Sequence, residues 1–266
     1  MHKTIFQWLF FWLIRNSWFF VLVPFYRWII IKERHPDSSE ARMFFPKRKS
    51  NKLTILALGA DGYRGDLEAL ASTGEIRVLR INRAWQSRLI SCFYSRELQG
   101  RPGVVAQHYN TDKEGDFELY EAKRLTQDFM VRFLARLYRV LPIKAVILYN
   151  TRYLADRDWA EASKKIGLSY VVIFRELPNF LPEDSELTME RLRMFGRFKG
   201  DHIVVANLAT KRCFVETRYA NDNEVTVCGL LRMDRLISRI HQQEAKPTRP
   251  LVTMFWWSIN VHHSQE

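Results

Sequence analysis

Two kinds of apolar pattern divide this chain. Residues 5–31, IFQWLFFWLIRNSWFFVLVPFYRWIII, are apolar almost without interruption, whereas from residue 53 onward short apolar runs alternate with stretches of helical spacing. Leu53–Leu58 and Ile76–Ile81 predict buried strands, and residues 104–107 a further short strand. Residues 66–72 predict a helix between the first two. Phe117–Val140 predicts a long helix, with Leu125, Phe129, Phe133 and Leu137 at four-residue spacing, ended by Pro142. The alternation continues with strands at 145–149, 170–174, 202–206 and 225–228. Helices are expected at 156–166, 188–198, 210–218 and 233–243, and a last strand at 251–255. Near-continuous apolar strands joined by helices predict an α/β fold, a Rossmann-like parallel sheet with helices on both faces.

The N-terminal segment predicts a membrane-anchoring helix. As one helix it would be roughly 40 Å long, enough to span a bilayer. Arg15, Asn16 and Ser17 interrupt it near the middle, and Pro24 kinks it. Neither half alone reaches the ~20 apolar residues of a spanning helix. Trp8, Trp12, Trp18 and Trp28 favour the membrane interface. An in-plane or re-entrant anchor, a true span and a buried soluble helix all remain open. No small-residue cleavage site follows, which argues against a signal peptide.

Charge sharpens this picture. The net charge is +12, and from Arg27 to Lys52 eight Lys/Arg face three Asp/Glu, so +5 of it lies just after the aromatic segment. Such a stretch beside an apolar anchor predicts contact with an anionic membrane surface, with the globular part on the cytoplasmic face of the inner membrane. The basic residues are not interleaved with aromatics as in a nucleic-acid groove, so no nucleic acid is expected. Cys92, Cys213 and Cys228 are widely spaced, which argues against a zinc site or a disulfide framework. His262-His263 lies in a terminal tail. No metal or cofactor is predicted. The expected divisions are 1–34 anchor, 35–51 basic linker, 52–244 sheet domain, and 245–266 linker and start of a second domain.

In an open parallel sheet ligands bind beyond the carboxyl ends of the strands, which selects three places. The first is the loop Gly59-Ala60-Asp61-Gly62-Tyr63-Arg64-Gly65. Glycines there permit a tight turn and close approach to a ligand. Asp61 is a candidate base for an attacking hydroxyl, and Arg64 a candidate partner for a phosphate. The plain alternative is that Asp61 caps a helix and Arg64 is solvated. The second is Arg175-Glu176, where Glu176 is a candidate base or hydroxyl ligand, or else half of an ion pair ordering the loop. The third is Gly229, Arg232 and Asp234, with capping by Asp234 and bracing by Arg232 as the alternative. His108 follows the expected strand at 104–107 and is a weaker candidate for the cleft.

The segment DHIVVANLATKRCFVETRYANDNEVTVCGLLRMDRL, residues 201–236, carries a family resemblance. Strand, helix, strand and then Gly229, Arg232 and Asp234 resemble the end of the N-terminal domain of GT-B glycosyltransferases. The nearest types are the bacterial surface-carbohydrate and CDP-glycerol transferase-like families. The pattern departs from theirs in having Leu230-Leu231 where a proline is expected. The resemblance implies an acceptor-side domain acting in surface polysaccharide biosynthesis. It further implies transfer of a sugar or glycerol-phosphate unit from a nucleotide-activated donor, a nucleotide sugar or CDP-glycerol, to a saccharide or lipid-linked acceptor, with no bound metal. It also implies that a donor-binding half would follow, of which about thirty residues are present. Whether this chain transfers by itself, or is a fragment, a truncated copy or one half of a split enzyme, stays open at this point.

The glycine loop also resembles the G-x-x-G-x-x-G of short-chain reductases and nucleotide-sugar epimerases. That resemblance implies bound NAD(P), with Arg80 suited to a 2′-phosphate and Tyr109 and Lys113 as the Tyr-x-x-x-Lys pair. A non-catalytic membrane scaffold is the third reading.

Overall fold

A computed structural model describes residues 2–32, 52–63, 65–111, 113–151, 153–174, 182–233 and 237. Contacts divide the chain into two units, Met1–Arg232 and Met233–Glu266. The sheet and the helices that cover it belong to the first unit.

Six strands form one sheet: β1 (Leu53–Leu58), β2 (Ile76–Ile81), β3 (Ala145–Leu148), β4 (Ser169–Ile173), β5 (His202–Val205) and β6 (Val225–Val227). Their order is β2-β1-β3-β4-β5-β6, and every neighbouring pair is parallel. Consecutive strand residues point to opposite faces. Leu56, Ala57 and Leu58 are all fully buried, so both faces of β1 are covered. The protein is thus α/β, with strand order running outward in both directions from β1. The switch point of such a sheet is the crevice between β1 and β3.

Ten α-helices accompany the strands among the described residues. They are α1 (His2–Arg15), α2 (Phe19–Lys32), α3 (Asp66–Ser72), α4 (Arg83–Ile90), α5 (Arg96–Gly100), α6 (Val104–Asn110), α7 (Phe117–Val140), α8 (Leu154–Lys165), α9 (Pro182–Met194) and α10 (Leu208–Glu216). Capping explains several starts: Asn82, Asp116 and Asn207 accept backbone N–H bonds from Trp85, Leu119 and Thr210. The strand expected at 104–107 is instead the start of α6, a correction to the sequence reading. α4 and α5 have no counterpart among the expected elements. The helix expected from residue 188 begins at Pro182. The segments at 233–243 and 251–255 lie outside the described residues, except for Met233 and Ile237.

On α7 the buried positions include Leu119, Ala122, Thr126, Phe129, Met130, Phe133, Leu134 and Leu137, whereas Leu125 is exposed. Strict four-residue spacing drifts by roughly 40° per step on a 3.6-residue helix. Over three steps that drift carries Leu125 out of the buried stripe.

The N-terminal segment is two helices rather than one. The break falls at residues 16–18, where Ser17 has a φ of 53°. The helices pair through Phe10, whose ring lies 6.1 Å from that of Phe25. α2 packs on α7 and β2, with Phe19 against Phe129 at 5.3 Å and Tyr26 against Phe133 at 5.0 Å. Ile14, Leu22 and Ile30 are at most 1% exposed. Burying such side chains is worth about 1.5–3 kcal/mol each, so α1 and α2 belong to the domain's core. Each helix has 14 residues, about 21 Å. No described helix is long and apolar enough to cross a membrane.

Candidate functional site at the carboxyl edge of the sheet

The carboxyl edge has two halves, one over β2, β1 and β3 and the other over β4, β5 and β6. The first contains the switch point and the glycine loop. There the loop after β1 meets the segment after β3. The Tyr149 ring lies over Gly59 and Gly62, and a Cβ on Gly62 would come within 2.3 Å of that ring. A Cβ on Gly59 would come within 2.7 Å. The two glycines therefore make room for a tyrosine of the protein itself. Tyr63 completes the packing edge-on to Tyr149 at 5.4 Å.

Arg83, the first residue of α4, ties the three strand ends together. Its backbone N–H donates to Oδ1 of Asp61 at 3.0 Å. Its guanidinium lies 3.7 Å from the centre of the Tyr153 ring, a cation–π contact. Asp61 thus serves at a helix start as its alternative reading held, but the helix is α4 rather than α3. Its carboxylate is exposed, so the second oxygen remains accessible at the edge. Arg64 lies outside the described residues.

Beneath this surface Asp156 is buried in the first turn of α8 and accepts a bond from Nε2 of Gln86 at 2.8 Å. Burial pushes its carboxyl up to about 7, against the pull of Arg83, Gln86 and Arg157. Sequence reasoning missed Asp156, Gln86, Arg83 and Tyr149. The available signal was position alone, since Arg83 and Tyr149 closely follow strand ends.

The second half holds a shallow notch of about 10 Å³, open to solvent. Ile173 and Phe174 line it from the end of β4, and Val204 and Val205 from the end of β5. After β6 the chain turns at Gly229, whose φ of 80° suits glycine, and crosses back over the strand ends. The backbone N–H of Arg232 then donates to Oδ1 of Asp66 at 3.1 Å, and its guanidinium lies 3.6 Å from Oδ2. Asp66 is 3% exposed and opens α3, directly after the glycine loop. Two of the segments singled out in the sequence therefore meet, through Asp66 and Arg232. Arg175, Glu176 and Asp234 lie outside the described residues. Phe174, the residue before Arg175, lines the notch.

The remaining candidates fall elsewhere. Arg80 is paired with Glu68 at 2.6 Å, so it is engaged within the fold rather than presented to a 2′-phosphate. His108 is fully buried: its Nε2 lies 3.0 Å from the Tyr94 hydroxyl and 3.2 Å from Oδ1 of Asp158. That hydroxyl donates to Oδ2 of Asp158 at 2.7 Å, and Gln127 donates to Oδ1. This closed network joins α6, α7 and α8 away from solvent. Among the described residues no group of three or more His, Cys, Asp or Glu side chains is placed to hold a metal ion.

No protein-family model, curated protein or solved structure matches the chain.

Proposed function

We propose that the domain is the acceptor side of a GT-B-type glycosyltransferase. Its role is to hold a saccharide or lipid-linked acceptor for attack on a nucleotide-activated sugar or CDP-glycerol in surface polysaccharide biosynthesis. The observation that carries this reading is the placement of Gly229 and Arg232. The segment that resembles the GT-B domain border crosses the carboxyl ends of β4, β5 and β6 and fastens to Asp66, leaving a notch beside it. That is where an open α/β sheet offers ligands a site. Asp61 supplies the candidate base at the same edge, with one carboxylate oxygen committed to α4 and the other open. Glu176, just after β4, is the second candidate. A dinucleotide reading is weakened by the Tyr149 ring in the switch-point crevice and by the Arg80–Glu68 pair.

The test is transfer of label from UDP-, GDP- and CDP-activated donors to saccharide and polyprenyl-phosphate acceptors by the full chain, against Asp61→Asn and Glu176→Gln. Incorporation that falls at least about a hundredfold in one of these variants supports the proposal. Incorporation unchanged in both removes the roles assigned to Asp61 and Glu176, and NAD(P)H-dependent turnover without incorporation removes the transferase reading.

A further inference from the structure

The helix pair α1–α2 has one face in the core and one face in solvent, and the solvent face is strongly aromatic. Trp8 is 66% exposed, Phe20 72% and Trp28 53%. Trp12, Trp18 and Phe20 form a continuous ring cluster at the turn between the helices, with centroids 4.6 Å apart for Trp12–Trp18 and 5.1 Å for Trp18–Phe20. Monomeric surfaces rarely expose large aromatics in such density, and contiguous apolar patches mark interaction sites.

The charges around this cluster identify the partner. Residues 2–32 contain four Lys/Arg and no Asp/Glu. The adjoining half of α7, residues 129–140, contains Arg132, Arg136 and Arg139 and again no acid. Arg132 and Arg136 are exposed, and their guanidinium groups lie 5.7 and 4.4 Å from the ring centre of Phe19, next in sequence to Phe20. A two-fold contact between copies would set this strongly basic surface against itself, because an isologous interface presents the same patch from both sides. An anionic bilayer matches both features. Indole rings partition to the headgroup region, and Lys/Arg near the surface are drawn by its negative potential.

We propose that α1, α2 and the C-terminal half of α7 form one docking face for the surface of an anionic membrane. The ring cluster Trp12–Trp18–Phe20 enters the interface, and Arg132 and Arg136 meet headgroup phosphates. The helices stay in the plane of the surface. Each is too short to span, α2 remains packed on α7 and β2, and α1 remains packed on α2. No residue of the carboxyl edge takes part, so this face is independent of the transferase reading.

Flotation of the full chain with phosphatidylcholine vesicles, with and without phosphatidylglycerol, tests it. Two variants accompany the native chain: Trp12→Ser/Trp18→Ser/Phe20→Ser and Arg132→Glu/Arg136→Glu. All five positions lie on the surface or at the helix turn, and far-UV dichroism with thermal melts checks the fold. The native chain is expected to bind phosphatidylglycerol vesicles at least about tenfold more tightly than neutral ones. Its tryptophan emission is expected to shift to the blue on binding. The aromatic variant should lose most binding to both vesicle types, and the arginine variant should lose the preference for phosphatidylglycerol. Equal affinity for both vesicle types overturns the proposal. So does absence of binding, or a concentration-dependent dimer that the aromatic variant abolishes. Should the aromatic variant fail to fold, the arginine variant and the salt dependence of native binding still decide the matter.

Discussion

Arg232 and Asp66, 166 residues apart in sequence, are joined by a backbone N–H to carboxylate bond of 3.1 Å at the carboxyl edge of the sheet. The bond fastens the segment after β6 to the start of α3 and so fixes one wall of the notch. Asp66→Ala is expected to cost about 1–3 kcal/mol, because it leaves a partly buried backbone donor without its acceptor. Arg232→Ala keeps that N–H and removes a partly exposed ion pair, so it should cost less than about 1 kcal/mol. Urea unfolding of the two variants measures the difference; equal costs would mean that the guanidinium carries the link.

Gly62 and Tyr149 make a second pair whose coupling is measurable. Gly62→Ala places a Cβ where the ring now lies and should destabilise by about 1–3 kcal/mol. In a Tyr149→Ala background the same substitution should cost much less. A double-mutant cycle that returns no coupling would show that the glycine serves something other than the ring.

Asp61 separates structural from chemical roles. Asp61→Ala removes an acceptor at the start of α4 and is expected to cost about 0.5–2 kcal/mol. Asp61→Asn keeps a side-chain oxygen for the Arg83 N–H but removes the base. It should melt close to the native protein while losing transfer at least about a hundredfold. A variant that keeps full transfer would leave Asp61 a helix cap.

Asp156 gives the fold a pH dependence of definite sign. Its carboxyl is raised to about 7 in the folded chain from an ordinary value of 3.8. Between those values the folded state holds a proton that the unfolded state has released. Stability contributed by the neutral carboxyl is therefore fully present below about pH 4 and is lost as pH rises toward 7. The slope is at most about 1.4 kcal/mol per pH unit. Asp156→Asn keeps an acceptor for Gln86 and has no charge to release. It should flatten the profile between about pH 4 and 7 and raise stability at the alkaline end. Urea midpoints across that range check it; a profile as steep as the native one would place the dependence on another group.

Elements whose stabilising contacts are local were the legible ones. β1, β2 and α7 have the bounds that hydrophobic periodicity implies, because runs such as LTILAL and the long amphipathic stretch after Asp116 are decided by their own residues. α6 reads as a strand because Val104-Val105 favours one. Buried contacts of its later residues, His108 with Tyr94 and Asp158, hold it as a helix. The N-terminal segment is equally ambiguous by its own residues. Phe129, Phe133 and Trp85, which cover α1 and α2, lie far along the chain. At the edge of the sheet, position after a strand was enough to select the glycine loop and Arg232. It was not enough to show that Tyr149, some ninety residues beyond Gly59, fills the crevice, or that Arg232 reaches Asp66.

The central claim is that the carboxyl edge serves sugar transfer rather than dinucleotide chemistry. The most direct measurement is ligand-observed NMR with thermal shift on the full chain. The ligands are UDP-, GDP- and CDP-activated donors, saccharide and polyprenyl-phosphate acceptors, NADH and NADPH. The account predicts that at least one donor or acceptor binds, that Asp66→Ala weakens this binding, and that neither NADH nor NADPH binds. Tight binding of NADH or NADPH, with no response to any donor or acceptor, would contradict it.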